Sequence, residues 1–142
     1  AKSYGIQTGE VLWQARQKCP GIVFVPPHFD RYLRFSKMAK EIYLEYTDQV
    51  ESFGLDECWL GLTGSTHLFG DGKKIADELR ERVKFELGLT ASVGVSFNKI
   101  FAKLGSDYKK PDATTVITKE NYQQVVWPLP ASDLLYLAKM VS

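Results

Sequence analysis

Two adjacent carboxylates, Asp56 and Glu57, are the residues whose types and spacing fit catalytic chemistry best. They stand between Gly54 and an apolar run, where charged side chains are rarely buried without a partner. Neighbouring carboxylates repel each other, and a divalent cation relieves that repulsion. Consecutive side chains of a regular strand point to opposite faces, so both reach one ion only if Gly54 bends the backbone. The alternative interpretation is a solvated turn, where acidic residues are common.

Lysines form a second candidate group at the C-terminal side of the sequence. Its members are Lys99, Lys103, Lys109 and Lys110, accompanied by a single acidic residue, Asp107. Lys99 and Lys103 are four residues apart and therefore share one face of a helix. A helix N-terminus beside lysines favours phosphate binding, although a solvated helix face has the same pattern. Pro111 restricts Lys110 and holds one ammonium near a fixed point, as triphosphate binding requires.

Paired carboxylates and nearby lysines together describe phosphoryl transfer. The carboxylates would bind Mg²⁺ and the lysines would bind phosphates. In two-metal catalysis, the ions activate the attacking hydroxyl and stabilise the leaving group. From the residues alone, the prediction is a metal and phosphate site in an α+β domain.

The elements that position these residues follow from the apolar patterns. Helices are predicted over residues 10–17, 29–47, 73–86, from 98 to just before 111, 118–126 and from 131 to 140, and strands over 22–25, 50–53, 58–63, 90–96 and 114–117. The continuous apolar run at 22–25 predicts a buried strand. Strands 50–53 and 58–63 form a hairpin around Gly54. The mixture of helices with one hairpin favours α+β over a regularly parallel α/β sheet.

Two side-chain patterns predict packing. The helix at 29–47 has an apolar and aromatic face that predicts core packing. This face consists of Tyr32, Phe35, Ala39, Ile42, Tyr43 and Tyr46. In the strand at 90–96, Ser92 and Gly94 lie on one side and admit close approach by another backbone or a ligand.

Composition and charge exclude several classes. The 142 residues are 44% hydrophobic, which excludes disorder, and the net charge of +1 gives no global signal for nucleic-acid binding. Two cysteines, Cys19 and Cys58, are too few for a disulfide framework and suit a reducing, cytoplasmic setting. No apolar run reaches the ~18 residues that span a membrane. The sequence begins without Met, which predicts a fragment.

Several short motifs carry a family resemblance over essentially the whole chain. They are Val25-Pro26-Pro27, Tyr46-Thr47-Asp48, Leu55-Asp56-Glu57, Ser92-Val93-Gly94-Val95-Ser96, Asn98-Lys99, Ala102-Lys103, Ser106-Asp107, Lys110-Pro111 and Trp127-Pro128-Leu129-Pro130. With them the sequence resembles Y-family translesion DNA polymerases of the DNA polymerase IV type. The run from 92 to 111 is the most specific part of this resemblance.

The resemblance implies roles for individual residues. Asp56 and Glu57 would hold Mg²⁺ at the polymerase centre, and Lys110 would contact the triphosphate of the incoming nucleotide. Lys2 stands where the family usually has an Arg that touches the same triphosphate, and lysine lacks the bidentate fork of arginine. Lys99 and Lys103 are further candidates for DNA or phosphate contact. The family usually has Ser at position 54 and an acidic residue at position 61, where this sequence has glycine.

The resemblance also implies an α+β fold, an incomplete ferredoxin-like antiparallel polymerase palm. Residues 1–25 would be a remnant of the fingers, 26–118 the palm and 119–142 the start of the thumb. The family's first strand, which carries another metal-binding Asp, would precede Ala1 and be central to the sheet. Without it, unpaired backbone and apolar surface favour self-association, and this chain alone is expected to have no polymerase activity.

The parent protein would perform template-directed DNA synthesis across damaged bases. Its partners would be primer-template DNA, the incoming nucleotide and, through regions outside this chain, a sliding clamp. A catalytically silent palm remnant acting as a binding module is the main alternative. A nucleotidyl cyclase is a third, but its Gly-Gly-acidic-acidic-Phe turn does not fit the residues from Gly54 to Cys58.

Overall fold

The computed structural model describes residues 1–134, and short helices alternate with two pairs of short strands. In chain order the elements are a 3₁₀ helix Lys2–Tyr4, α1 Leu12–Lys18, α2 Phe29–Leu44, β1 Val50–Phe53, β2 Glu57–Leu60, α3 Thr66–Phe69, α4 Gly72–Leu87, β3 Val93–Ser96, α5 Lys99–Tyr108, β4 Thr114–Ile117, α6 Tyr122–Val126 and a 3₁₀ helix Ala131–Asp133. The helix predicted from residue 131 falls largely outside the described residues. No helix in the described part of the chain has the length and apolar character needed to cross a membrane.

The strands form two separate pairs. β1 and β2 are antiparallel, with Val50 opposite Leu60 and Phe53 opposite Glu57, which confirms the predicted hairpin. β3 and β4 are parallel, with Val93 opposite Thr114. A parallel pair needs a crossover connection, and α5 supplies it. The mixed α+β class is therefore confirmed, and the parallel pair is an addition that the sequence patterns did not predict.

Helices α2 and α4 pack together around the larger of two apolar clusters. The buried members of this cluster are Ile42, Tyr46, Ile75, Leu79 and Val83. The ends of α4 are well determined by sequence: the Asp71 side chain accepts a hydrogen bond from the Lys74 amide at its start. At its end Gly88 adopts a left-handed conformation with φ of 68°. A second cluster joins α5, β4 and α6 through Leu104, Ile117 and Val126.

The predicted aromatic face of α2 divides into two parts. Its C-terminal half reaches the core, since Ile42 is buried and so is Tyr46 just beyond the helix end. Tyr32 is 44% exposed, and together with Phe35 it lines an open cleft. The prediction of core packing is therefore correct only for the second half of the face.

The prediction of a buried strand at residues 22–25 is wrong. This segment is extended but pairs with no strand among residues 1–134, and Val23 is 81% exposed. The guanidinium of Arg16 lies 5.2 Å from the ring centre of Phe24, which is its clearest contact. An apolar run is buried only where neighbouring surfaces cover both of its faces, and here Ile22 and Phe24 are half-buried while Val23 and Val25 are exposed.

Candidate active site

A cleft of about 1180 Å³ lies between the two strand pairs and is closed on one side by α2. Every residue of β2 and every residue of β3 lines it, whereas β1 contributes only Phe53 and β4 contributes none. The inner strands are therefore β2 and β3. Each pairs with a single strand among the described residues, so one edge of each lacks a backbone partner there. The cleft therefore separates two strand pairs, and among the described residues no strand joins β2 to β3.

Asp56 and Glu57 both line this cleft. Residues 54–56 form a three-residue turn in which Gly54 has a positive φ of 71°, and Glu57 begins β2. Because Asp56 lies in the turn and not in the strand, the rule that neighbouring side chains alternate between faces does not separate the two carboxylates. The predicted bend at Gly54 is confirmed.

The turn is fastened to α2 by a side chain that the sequence analysis did not single out. The Ser36 hydroxyl donates a hydrogen bond to the carbonyl oxygen of Leu55. Further along the chain, the Thr47 hydroxyl donates to the carbonyl oxygen of Gly61 at 2.7 Å. The Tyr46 hydroxyl donates to the Glu78 carboxylate at 2.8 Å, which ties the end of α2 to α4. The Tyr46-Thr47-Asp48 motif thus helps to place the hairpin that carries the carboxylates.

Lys103 connects the hairpin to α5 across the cleft. Its ammonium lies 2.7 Å from Glu57 Oε1 and 2.9 Å from Asp107 Oδ2, and its side chain is only 17% exposed. Burial alone would lower the pKa of Lys103, but the hydrogen bonds to Glu57 and Asp107 outweigh burial and raise it above its ordinary value. Lys103 is therefore a fixed cation beside one of the two carboxylates.

Lys110 completes a chain of alternating charges. Its ammonium lies 2.8 Å from Asp107 Oδ1, and its side chain is 59% exposed at the rim of the cleft. Burial would raise the pKa of Asp107, but the Lys110 and Lys103 ammonium groups outweigh burial and hold this pKa below its usual range. Asp107 thus pairs with two lysines at once, which its isolated position in the basic run did not reveal.

The depressed pKa of Asp107 predicts a pH-dependent stability. A carboxylate with a lowered folded-state pKa stabilises the fold fully above its unfolded pKa of about 3.9, and this contribution disappears as pH falls through the folded value. Asp107→Asn should therefore reduce the loss of stability between pH 5 and pH 3, as measured by urea unfolding of the chain. Asp48→Asn is the control, because Asp48 is exposed and forms no ion pair among residues 1–134. Equal pH slopes for wild type and Asp107→Asn would contradict this prediction.

The structure does not bring all predicted site residues together. Lys99 lies away from the cleft lining; it pairs with Glu51, and its ammonium sits 5.2 Å from the Trp59 ring centre. Lys2 is exposed in the first 3₁₀ helix and also lies outside the cleft lining. Among the described residues, the cleft therefore gathers Asp56, Glu57, Lys103 and Lys110 from the predicted set.

The oxygen atoms of Asp56 and Glu57 have the donor chemistry that a divalent cation requires. Asp56 and Glu57 offer only carboxylate oxygens, which suit Mg²⁺, an ion commonly held by one or two carboxylates with water and substrate phosphates. No group of three or more acidic, histidine or cysteine side chains in the described residues has the geometry to hold an ion. The pair therefore fits a Mg²⁺ site that draws its other ligands from substrate or from further protein.

Comparisons with known proteins identify the family of this chain. A model of the impB/mucB/samB family matches residues 1–107. DNA polymerase IV of Acetivibrio thermocellus is 61% identical over 137 residues, which are 96% of this chain and 34% of that protein. DNA polymerase IV of Clostridium acetobutylicum is 37% identical over 139 residues, 98% of this chain and 35% of its own length. The chain thus spans about a third of the length of these two relatives.

Solved structures show the same fold. The crystal structure of DinB from Sulfolobus solfataricus superposes with a TM-score of 0.85 and 26% identity, and the match covers 95% of this chain and 40% of that one. A structure described as the insertion ternary complex of Dbh DNA polymerase superposes with a TM-score of 0.83 at 26% identity, over 95% of this chain and 40% of that one. The match covers nearly all of this chain and less than half of either neighbour.

Proposed function

Since this chain belongs to the impB/mucB/samB family and is a fragment of the Y-family DNA polymerase IV type, we propose that the longer protein containing it performs template-directed DNA synthesis. The observation that supports the proposal is the cleft, which is lined by Asp56, Glu57 and Lys110 in a chain with a Y-family polymerase fold. Residues 26–118 would be palm, with residues 1–25 from the fingers and 119–142 from the thumb. Synthesis across damaged bases and DNA repair are the corresponding cellular roles.

The roles of the site residues follow from their chemistry. Asp56 and Glu57 would hold Mg²⁺, which when bound would supply positive charge to the reacting phosphates. Lys110, exposed at the cleft rim, would donate to the triphosphate of the incoming nucleotide. Lys103 holds the Glu57 carboxylate in place from α5. Lys2 would meet the triphosphate only if further protein folded it toward the cleft, and Lys99 would contact DNA outside it.

Primer-template DNA and a nucleotide are the partners that this function requires. Two neighbouring structures are described as ternary complexes of Dbh DNA polymerase. A strand from outside this chain would pair with β2 and β3 and close the split sheet. This chain alone would expose those edges, associate with itself and lack polymerase activity. The two free cysteines suit the reducing cytoplasm that we propose for the protein, and a sliding clamp would bind through other regions.

The experiment that tests this function is templated primer extension by the longer protein with Mg²⁺ and the four deoxynucleotides. We expect addition that follows the template base, and none when the primer lacks a template. The 142-residue chain serves as a second sample, in which no extension is expected. A correctly folded longer protein that extends no primer on undamaged or damaged templates would favour the silent binding module instead.

Removal of the Lys110 ammonium should weaken nucleotide binding. A hydrogen bond to a charged group contributes about 1.5–3 kcal/mol, so Lys110→Ala should lower kcat/KM for the incoming nucleotide by ~10- to 100-fold. The effect should appear mainly in KM, because Lys110 would contact the nucleotide both in the bound ground state and in the transition state. Lys109→Ala is the matched control, since Lys109 is the exposed neighbour outside the cleft lining. Equal losses in the two variants would remove Lys110 from the site.

A further inference from the structure

The loop that carries Lys110 is tied to α4 by two basic side chains. Arg80 Nη2 donates to the Asp112 carbonyl oxygen at 2.6 Å and to Asp112 Oδ1 at 3.0 Å. Lys84 Nζ lies 2.6 Å from the other carboxylate oxygen of Asp112. Asp112, two residues after Lys110, thus pairs with both Arg80 and Lys84 through its carboxylate, and its backbone carbonyl oxygen also accepts a hydrogen bond from Arg80.

Asp112 has a backbone that needs such support. Its φ of 53° makes it the one residue other than glycine with a positive φ among residues 1–134. Aspartate adopts this left-handed conformation more readily than most residues, because its short side chain bonds locally, but the conformation remains uncommon. The contacts with Arg80 and Lys84 fix a turn that would otherwise sample extended backbone. They therefore determine where the loop from Lys109 to Ala113 runs.

Arg80 is itself held rigidly. Its side chain is 15% exposed, and its Nη1 donates to Thr114 Oγ1 at 3.2 Å and to Asp77 Oδ1 at 3.3 Å. The guanidinium thus joins α4, the loop and the first residue of β4 through four hydrogen bonds from Nη1 and Nη2, while Nε has no partner among the described residues. A planar fork with several donors makes this set of contacts, and the single ammonium of lysine does not reproduce it.

We propose that Arg80, assisted by Lys84, is a positioning residue that presents Lys110 to the triphosphate. The inference rests on the proposed function, because it assumes that Lys110 binds the nucleotide. Lys110 has a long side chain that forms one ion pair within residues 1–134, with Asp107, and both side chains are substantially exposed. Its own contacts restrain it weakly, since exposed ion pairs contribute little. The fixed loop supplies the restraint instead, so a loosened loop weakens nucleotide binding and leaves the carboxylates untouched.

The test uses the longer protein and a cycle of variants: Arg80→Met, Lys110→Ala and the double variant. Arg80→Met should raise KM for the incoming nucleotide ~5- to 10-fold and leave kcat within about twofold of the wild-type value. This pattern is expected when a loosened loop weakens nucleotide binding without changing the chemical step. In the Lys110→Ala background the same change should have little further effect, because both act through one contact. Arg80→Lys should recover only part of the loss.

Two further samples separate positioning from general destabilisation. Arg82→Met removes another α4 arginine, one that pairs with Glu45 and Glu86 on the far side of the helix, and should leave KM unchanged. Asp112→Asn removes the ion pairs but keeps a residue that tolerates positive φ, and it should raise KM in the same direction as Arg80→Met. Hydrogen exchange of the backbone amides of Lys110 and of residues 112–114 should accelerate in Arg80→Met and not in Arg82→Met.

The outcomes distinguish the inference from its premise. An unchanged KM in Lys110→Ala would overturn the nucleotide role of Lys110 and the inference with it. A raised KM in Lys110→Ala beside an unchanged KM in Arg80→Met and Asp112→Asn would overturn the inference alone. Additive effects in the double variant would also overturn it, because Arg80 would then act on nucleotide binding by another route.

Discussion

Replacement of either cleft carboxylate, as Asp56→Asn or Glu57→Gln, is expected to lower primer extension by the longer protein ~10³-fold or more. Each change keeps the shape of the side chain and removes one negative charge. Among the described residues, Asp56 and Glu57 are the pair proposed to bind the divalent cation, so loss of either halves the charge that this part of the protein supplies to it. The physical basis is the loss of several kcal/mol of charge stabilisation in the transition state. Single-turnover extension kinetics at saturating nucleotide measure the effect on the chemical step.

A second readout must accompany activity, because Glu57 also pairs with Lys103 at 2.7 Å. Binding of Mn²⁺ to the longer protein, followed by its electron paramagnetic resonance signal, should weaken in both variants. Glu51→Gln is the matched control, since Glu51 belongs to the same hairpin but pairs with Lys99 outside the cleft. It should keep activity and Mn²⁺ affinity within about twofold, as surface ion pairs contribute little. Full activity in Asp56→Asn or Glu57→Gln would discard the site assignment.

The sequence predicted the backbone around Asp56 and Glu57 correctly, because local chemistry alone determines the structure there. Gly54 sets the turn that brings Asp56 and Glu57 to one cleft, and its positive φ is a property that the residue type signals. The ends of α4 lie within one residue of the predicted range 73–86, because Asp71 and Gly88 act within one turn of the helix. In each case the cause and its effect lie a few residues apart.

Features that depend on distant surfaces were not predictable in the same way. The segment at 22–25 has the composition of a buried strand, yet Val23 is exposed because no strand lies beside it in the described residues. The Arg80–Asp112 contact joins residues 32 positions apart, and neither residue type indicates the other. The bridge from Lys103 to Glu57 spans 46 positions. A basic run suggested phosphate binding for Lys103, whereas its position beside a carboxylate comes only from the fold.

Gly94→Ala is expected to be the most damaging glycine-to-alanine substitution among the described residues. A Cβ on Gly94 would lie 1.8 Å from the carbonyl oxygen of Ala102 and 2.6 Å from the amide nitrogen of Ser106. Both are backbone atoms of α5, so no side-chain rotation relieves the clash, and the helix must move away from β3. Overpacking of this kind costs about 3 kcal/mol, the upper end of the usual range. Thermal unfolding followed by circular dichroism should show a decrease in Tm on the order of 10 °C.

Two other glycines provide a graded comparison. Gly64→Ala introduces a Cβ with nothing within 4 Å and should change stability by less than about 0.5 kcal/mol. Gly105→Ala places a Cβ 3.1 Å from the Gly94 Cα and 3.3 Å from the Thr115 carbonyl oxygen, while alanine gains about 1 kcal/mol of helix propensity over glycine. Its net effect should therefore lie between the other two. A Tm for Gly94→Ala equal to that of Gly64→Ala would show that α5 does not pack on β3 as closely as described.

The movement of α5 away from β3 in Gly94→Ala would also reach the site. Because α5 carries Lys103 and leads directly into Lys110, this movement would displace the cation beside Glu57. One methyl group at Gly94 would therefore affect both the fold and the site.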